Sequence, residues 1–276
     1  MFNFNNEKLN QLVVNYINYT IDPKHDNEQQ KNKLDSSLLF YQIDTRQLKN
    51  SINIVISSHI TTSEQFARAG EIIDEYYTEK TPFIWYTITI DNNQAERTFF
   101  EKNGLNHLQT RTAMMMNLKI FTIKNKQLAN EKFNEITDLS IFCNKKNAKL
   151  TTTPNLKIIT DAELPLKDLP TSQPNPTLDQ VNDLCYAVTL TKDEAPITTG
   201  ILFFEATIGV IRVADSEDNS ESKEKMLIHL LNKAQKANYE NVGIVVIKEQ
   251  VAWYQKIGFE AQDLFFNIYA LHYSQE

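Results

Sequence analysis

The chain has 276 residues and a mass of 31.9 kDa, which is enough for about two domains of roughly 150 residues each. With 41% hydrophobic and 23% charged residues it is not a disordered chain, and it has no sustained heptad of a long coiled coil. Of the net charge of −7, residues 151–276 carry −8 (18 acidic, 10 basic) and residues 1–150 carry +1. Neither half has the basic excess typical of nucleic-acid binding, so no nucleic-acid partner is expected.

Membrane, export and metal signals are all missing from the sequence. No apolar run reaches the roughly 18 residues of a membrane-spanning helix, and the first ten residues lack the pattern of a signal peptide. Cys143, Cys185 and the histidines match no metal-ligand spacing. We therefore expect a cytoplasmic protein with no metal and no membrane partner, in which two buried free thiols are more common than a disulfide. Export by a non-classical bacterial route stays open.

The N-terminal part predicts alternating strands and helices. Strands are indicated at 38–43, 52–57, 83–90 and 108–118, and helices at 63–79 and 93–103. A capping box at Thr61–Glu64 begins the first of these helices. The three consecutive methionines, Met114–Met116, lie in a predicted strand, so we expect them to pack on both of its faces rather than to bind a ligand.

The C-terminal part predicts the same kind of order. Strands are indicated at 184–192, 197–205, 207–213, 242–247 and 264–271, and helices at 223–238 and 250–257. The stretch 242–247 (VGIVVI) is wholly apolar, which is typical of a strand buried on both faces in the middle of a sheet.

A short repeat relates the two parts. Phe99–Leu105 (FFEKNGL) and Trp253–Phe259 (WYQKIGF) each follow an apolar strand, close a short helix, and contain a glycine where a helix end needs a positive φ angle. A generic helix end would explain the heptapeptides alone, but the order of elements around them also repeats. We predict two domains, 1–150 and 151–276, joined near the start of the Thr-, Pro- and Asp-rich segment 150–182.

The second heptapeptide carries a family resemblance. Tyr254, Lys256, Gly258 and Phe259 match the motif Tyr-x-Lys-x-Gly-Phe, and with the order of elements before it the sequence resembles the GCN5-related N-acetyltransferase (GNAT) superfamily. The resemblance covers roughly residues 155–276 and, more weakly, 35–120. It implies an α/β fold (α+β, with a mixed sheet) that consists of two tandem GNAT-like domains. Each domain would be a mixed sheet flanked by helices, and the N-terminal domain would be degenerate.

The resemblance also implies a reaction, the transfer of an acetyl group from acetyl-CoA to an amine on a small molecule or a protein. Tyr254 would then donate a proton to the departing thiolate. Glu205 and Glu249 each follow a predicted strand, and each is either a general base for the amine or a solvated carboxylate. The N-terminal equivalent of Tyr254 is Phe100, which has no proton to give, so any catalysis is expected in the C-terminal half. The acceptor and the oligomeric state are not defined by the resemblance.

Coenzyme A is expected, by the same resemblance, at the strand and helix start that precede 242–247. The residues concerned are Ile211, Arg212, Val213, Ser222, Lys223 and Lys225. The family's glycine-rich diphosphate loop is absent, because no glycine lies between Gly209 and Gly243 and the stretch 215–225 is acidic. Acidic side chains repel a diphosphate, and Lys223 or Lys225 would compensate only in part.

Two functions therefore stay open at this point. One is a GNAT-like N-acetyltransferase. The other is a catalytically degenerate pair of GNAT-like domains that acts as a binding or protein-interaction module.

Overall fold

The computed structural model of the protein describes residues 6–16, 31–35, 40–44, 53–90, 94–121, 131–136, 185–193, 195–205, 208–213 and 220–271. The helices are α1 (Glu7–Tyr16), α2 (Ser63–Thr78), α3 (Gln94–Lys102), α4 (Ser220–Lys236) and α5 (Val251–Ile257), and a single 3₁₀ turn, Lys248–Gln250, precedes α5. The strands are β1 (Lys31–Asp35), β2 (Phe40–Asp44), β3 (Asn53–Ser58), β4 (Phe83–Thr89), β5 (Leu105–Asn117), β6 (Glu131–Glu135), β7 (Cys185–Lys192), β8 (Ala195–Glu205), β9 (Ile208–Val213), β10 (Asn241–Ile247) and β11 (Glu260–Leu271).

Every strand and helix predicted from the sequence is present, with ends within four residues of the prediction. The start of α2 shows why its position was predictable: the Thr62 side chain accepts a hydrogen bond from the Gln65 N–H (3.2 Å), and the Gln65 side chain accepts one from the Thr62 N–H (3.1 Å). The side chain that completes this capping box is that of Gln65, one residue after the predicted Glu64. Helix α1 and strands β1 and β6 were not predicted, and the segment 150–182 lies outside the described residues.

All eleven strands form one mixed sheet in the order β1-β2-β3-β4-β11-β5-β10-β9-β8-β7-β6. The order β1-β2-β3-β4 on one side is mirrored by β7-β8-β9-β10 on the other, and each set ends in a parallel pair. The last strands of the two halves have changed places, because β11 lies antiparallel to β4 and β5 lies antiparallel to β10. The sequence repeat is therefore a pseudo-twofold symmetry about the central pair β5–β11.

The predicted fold class is confirmed, with one addition. The two halves are each a mixed sheet with helices, but they share a single sheet and complete each other's strand order. Strand β6 precedes the predicted division at residue 150 and yet pairs with β7 of the C-terminal half. The division itself stays a prediction.

Helices cover both faces of the sheet. On one face, α2 and α3 pack on the N-terminal half and α4 and α5 pack on the C-terminal half. On the opposite face, α1 packs over the C-terminal half, where a Cβ atom added to Gly243 would collide with Leu12. Under α4, a Cβ atom at Gly200 would lie 2.6 Å from the Met226 sulfur. These glycines allow both helices to approach the sheet closely.

The repeated heptapeptides have the predicted geometry. Gly104, after α3, has φ +83°, and Gly258, after α5, has φ +116°, so each ends its helix in a left-handed conformation that glycine adopts without strain. The methionine run also behaves as expected. Met114 and Met116 pack in the cluster under α4 and α5, and Met115 packs on the opposite face.

Candidate functional site

The parallel strands β9 and β10 separate part-way along their length. Ladder pairs join them only between Ile208–Val210 and Asn241–Gly243. Beyond these pairs β9 continues along β8, while β10 continues along β5. Within the described residues, the edge of β9 at Ile211–Val213 therefore has no ladder partner in β10, and we call the place where the two strands diverge the opening. Backbone groups at such an edge are suited to bind an extended ligand.

The equivalent strands of the N-terminal half stay together. Strands β3 and β4 pair at six successive positions, from Asn53 with Phe83 to Ser58 with Ile88. Over the described residues of both parallel pairs, an opening is therefore present only in the C-terminal half.

Tyr254 lies on α5 beside this opening. Its side chain is 2% exposed and belongs to the cluster that contains Met116 and Val246. The rings of Trp253 and Phe259 meet the Tyr254 ring edge-on, at 4.7 and 5.7 Å between centroids. These contacts hold the phenol in one orientation, which a group that transfers a proton requires.

Lys223 is the predicted cofactor residue that the structure brings to Tyr254. The Lys223 ammonium lies 5.4 Å from the centre of the Trp253 ring and 5.5 Å from that of the Tyr254 ring, so cation–π attraction favours this position. A positive charge therefore lies at the first turns of α4, where the helix amides also favour anions.

Lys225 has a different environment. Its ammonium lies 2.8 Å from one oxygen of Glu131 on β6 and 2.9 Å from the other, and 2.9 Å from Glu221. The Lys225 and Glu131 side chains are only 9% and 4% exposed. The hydrogen bond to Glu131, and then that to Glu221, raises the pKa of Lys225. Its charge is thus largely neutralised within the chain, and a contribution of Lys225 to cofactor binding stays a prediction.

The remaining predicted residues divide into three groups. Ile211 and Val213 are buried side chains on the opened edge of β9, and Ser222 is buried in the first turn of α4. For Arg212 the structure describes the backbone, which lies on the same edge, but not the side chain. Residues 215–219 of the acidic stretch lie outside the described residues.

Glu205 ends β8 at a distance from the opening, and its role as a base stays a prediction. Its side chain is not described, but its backbone pairs with Ile208, at the end where β9 and β10 are still joined. At about 3.3 Å per residue, Ile208 is about 10 Å from Ile211, where the opening begins. Glu249, the other carboxylate considered, lies exposed in the 3₁₀ turn directly after β10, at the open end.

A cavity of about 260 Å³ lies where α4, the end of α5 and the turn after β5 meet. Residues of α4, of the end of α5 and of the turn after β5 line it: Met116, Asn117, Ile120, Phe121, Glu224, Ile228, Lys256, Ile257 and Gly258. Sequence reasoning did not find this cavity, because residues 116–121 belong to the N-terminal half and meet α4 only through the exchange of β5.

Two further features bear on the class of site. Within the described ranges, no three His, Cys, Asp or Glu side chains come together as a metal site. In the same part of the chain, no helix is long and apolar enough to cross a membrane.

Comparison with known proteins supports the fold. No family model matches the chain, and no curated protein matches it. Among solved structures, a GCN5-related N-acetyltransferase from Kribbella flavida matches with a TM-score of 0.57 and 8% identity, over 89% of this chain and 91% of that one. A GCN5-related N-acetyltransferase from Sphaerobacter thermophilus matches with a TM-score of 0.53 and 9% identity, over 95% and 84%.

A third solved structure has the tandem arrangement. It is a tandem GNAT protein from the clavulanic acid biosynthesis pathway, solved without AcCoA, with a TM-score of 0.52 and 7% identity over 86% of this chain and 79% of that one. At such identities the likeness concerns the fold alone. The chain has the GNAT fold in a tandem arrangement, as the motif at Tyr254–Phe259 predicted.

Proposed function

We propose that the protein is a GNAT-like N-acetyltransferase with one acetyl-CoA site, in its C-terminal half. The observation that carries the proposal is the opening between β9 and β10, with Lys223 and Tyr254 together beside it. Two of these features have counterparts in the pseudo-symmetric N-terminal half, where the parallel strands are paired along all of β3 and the aromatic residue is Phe100.

The residues present fit the cofactor, although they do so without a glycine-rich loop. The opened edge of β9 at Ile211–Val213 offers backbone groups to the amides of a pantetheine arm. Lys223 and the first N–H groups of α4, including that of Ser222, suit a diphosphate. Acetyl-CoA, when bound, supplies the thioester whose acetyl group passes to the amine.

Tyr254 is the proton donor in this proposal. Its ring is fixed by Trp253 and Phe259, and with only 2% of the side chain exposed, little water reaches it. A phenol held in this way protonates a developing thiolate without reorganisation of solvent. Glu249 replaces Glu205 as the base that takes a proton from the attacking amine, because it follows β10 at the open end.

The interaction module remains the second candidate, and a specific observation favours it. Lys225 is neutralised by Glu131 and Glu221, and Glu224 adds a further exposed carboxylate near the start of α4. If these charges outweigh Lys223, the opening does not hold a diphosphate, and the fold serves only as a binding surface.

A thermal shift with acetyl-CoA separates the two candidates. At a concentration 100 times the Kd, one bound ligand stabilises the folded state by about 2.7 kcal/mol, which for a chain of this size raises Tm by about 5–10 °C. If the protein is an acetyltransferase, we expect this rise in the Tm of the wild-type protein. No rise at any soluble concentration of acetyl-CoA would move the conclusion to the interaction module.

A further inference from the structure

Glu96, on α3 of the N-terminal half, is a buried carboxylate with three donors from its own chain. The Glu96 side chain is 1% exposed. One carboxylate oxygen accepts a hydrogen bond from the Ile60 N–H (3.0 Å) and also lies 3.1 Å from the His59 Nδ1 atom. The other oxygen accepts a hydrogen bond from the Thr87 hydroxyl (2.7 Å). Burial of a carboxylate is tolerated when it is hydrogen-bonded as completely as this.

The position of these donors in the fold gives the arrangement its meaning. His59 and Ile60 lie in the loop between β3 and α2, which is the pseudo-symmetric counterpart of the loop between β9 and α4. In the C-terminal half, the start of α4 is where the proposed function places the diphosphate. In the N-terminal half, the Ile60 amide, just before α2, already donates to the chain's own carboxylate, Glu96.

The neighbouring amides of the same loop are also engaged. The Thr61 and Thr62 N–H groups both donate to the side-chain oxygen of Gln65, at 2.9 and 3.1 Å. Three successive backbone donors, at residues 60, 61 and 62, are therefore satisfied by side chains of α2 and α3. These three amides, which lead into α2, are therefore already used and are not available to a phosphate.

The strand pairing and the aromatic packing of the N-terminal half support the same conclusion, that this half offers no site for a phosphate. Strands β3 and β4 are paired at every position of β3, and Phe100 fills the place of Tyr254 with its ring 5.0 Å from that of Trp85 and 4.5 Å from that of Tyr269. We infer that Glu96 is a built-in anion that occupies the N-terminal counterpart of the diphosphate site. The N-terminal half therefore binds no acyl-CoA, and the protein takes one cofactor per chain. The stoichiometry and the comparison with a diphosphate site rest on the proposed function, whereas the placement of the Glu96 carboxylate on the donors of this loop does not.

Chemical rescue tests the role of Glu96 without the cofactor. Replacement of Glu96 by Ala leaves a cavity lined by the donors of Ile60, His59 and Thr87, which a small carboxylate fits. We expect Glu96→Ala to lower Tm by about 5 °C or more, and sodium formate to recover part of the loss relative to sodium chloride at equal ionic strength. Phe100→Ala, which empties an apolar site in the same half, is the matched control and gains nothing from formate. Equal effects of formate on both variants, or an unchanged Tm in Glu96→Ala, would overturn the inference.

If Glu96→Ala does not fold, a second pair of variants tests whether the Glu96 carboxylate is held by its hydrogen-bond donors. Glu96→Gln keeps the shape of the side chain and removes its charge. Thr87→Val removes one donor, so it should lower Tm clearly in wild type and by less in the Glu96→Gln background. Equal losses in the two backgrounds contradict a functional pair between Glu96 and Thr87.

Calorimetric titration with coenzyme A tests the stoichiometry. We expect one coenzyme A per chain, and a Kd about tenfold higher in Lys223→Ala. Two coenzyme A molecules per chain overturn the inference. An absence of any binding overturns the proposed function instead, while the formate experiment still decides the role of Glu96.

Discussion

The ammonium of Lys223, in the first turns of α4, lies 5.5 Å from the centre of the Tyr254 ring on α5. The contact links the residue expected to attract the cofactor's phosphates to the residue expected to protonate its thiolate. It forms where β9 and β10 have separated, so one positive charge, one phenol and one free strand edge lie together. No equivalent group of three is found among the described residues of the N-terminal half.

Loss of the Lys223 charge should weaken cofactor binding. We expect Lys223→Met to raise the Kd for acetyl-CoA about tenfold, since a charge-assisted contact with phosphate is worth roughly 1.5 kcal/mol. Lys233→Met is the control, because Lys233 lies on the same helix and also contacts an aromatic ring, that of Tyr186, at 4.2 Å. Calorimetry that gives the two variants the same Kd would remove Lys223 from the site.

Loss of the Tyr254 hydroxyl should slow the chemical step. Tyr254→Phe is expected to lower kcat by about 10²–10⁴-fold with little change in KM for acetyl-CoA, because the ring remains and only the proton donor goes. Tyr77→Phe, an exposed tyrosine on α2, is the control. Steady-state assays of thiol release check this, and an unchanged rate in Tyr254→Phe would mean that the proton comes from another group.

The ion pair between Lys225 and Glu131 should contribute to stability, since both side chains are nearly buried. Glu131→Gln leaves the raised-pKa ammonium of Lys225 with only the exposed carboxylate of Glu221. The free energy of unfolding should fall by about 2–4 kcal/mol. The exposed pair Arg97–Glu101 is the control, and Glu101→Gln should cost less than 1 kcal/mol. Urea denaturation of the two variants measures the difference, and similar losses would contradict it.

His229 should make the fold less stable in mild acid. Its ring is stacked on that of Phe133, at 3.9 Å between centroids, and burial, followed by the charges of Lys233 and Lys236, lowers its pKa from 6.5 to about 4. Between these pH values the unfolded chain binds a proton that the folded chain does not, so stability falls as the pH drops from about 6.5 to about 4. With allowance for the ring's partial exposure, we expect a loss of about 1–2 kcal/mol between pH 7 and pH 5.

The contribution of His229 can be isolated in His229→Gln. Urea denaturation at pH 5 and pH 7 should show a smaller difference in the variant than in wild type. The same difference in both proteins would assign the acid sensitivity to other groups.

The exchange of β5 and β11 should make the two halves interdependent. Each half places its last strand against the other half's parallel pair, so a fragment of residues 1–150 or 151–276 exposes strand edges that are paired in the whole chain. We expect neither fragment alone to unfold cooperatively, and an equimolar mixture to recover a cooperative transition by circular dichroism. Two fragments that each fold alone would show that the exchange adds little stability.

The sequence was sufficient to predict the elements and the internal repeat, but not how the repeats fit together. Gly104 and Gly258 end equivalent helices, and each must adopt a positive φ, so their pattern is local and readable. The strands that follow, β5 and β11, are equivalent to each other, and nothing local distinguishes pairing within a half from pairing across the halves. Helix α1 and strand β6 are short, and their partners, β9–β10 and β7, lie far along the chain.

The site residues also differ in whether their signal is local in the sequence or depends on distant residues. Tyr254 was found because it belongs to a contiguous motif. The difference between Lys223 and Lys225 depends on Glu131, a residue 94 positions away that reaches α4 only in the folded sheet. Glu96 gave no signal at all, because a glutamate beside Arg97 on an amphipathic helix has the appearance of a solvated charge.

A crystal structure with bound coenzyme A tests the central claim most directly. We expect one coenzyme A molecule per chain, with its diphosphate beside Lys223 at the start of α4. Its pantetheine arm should lie in the opening between Ile211–Val213 and β10. Coenzyme A bound at the start of α2, or bound on the surface away from the opening, would contradict it.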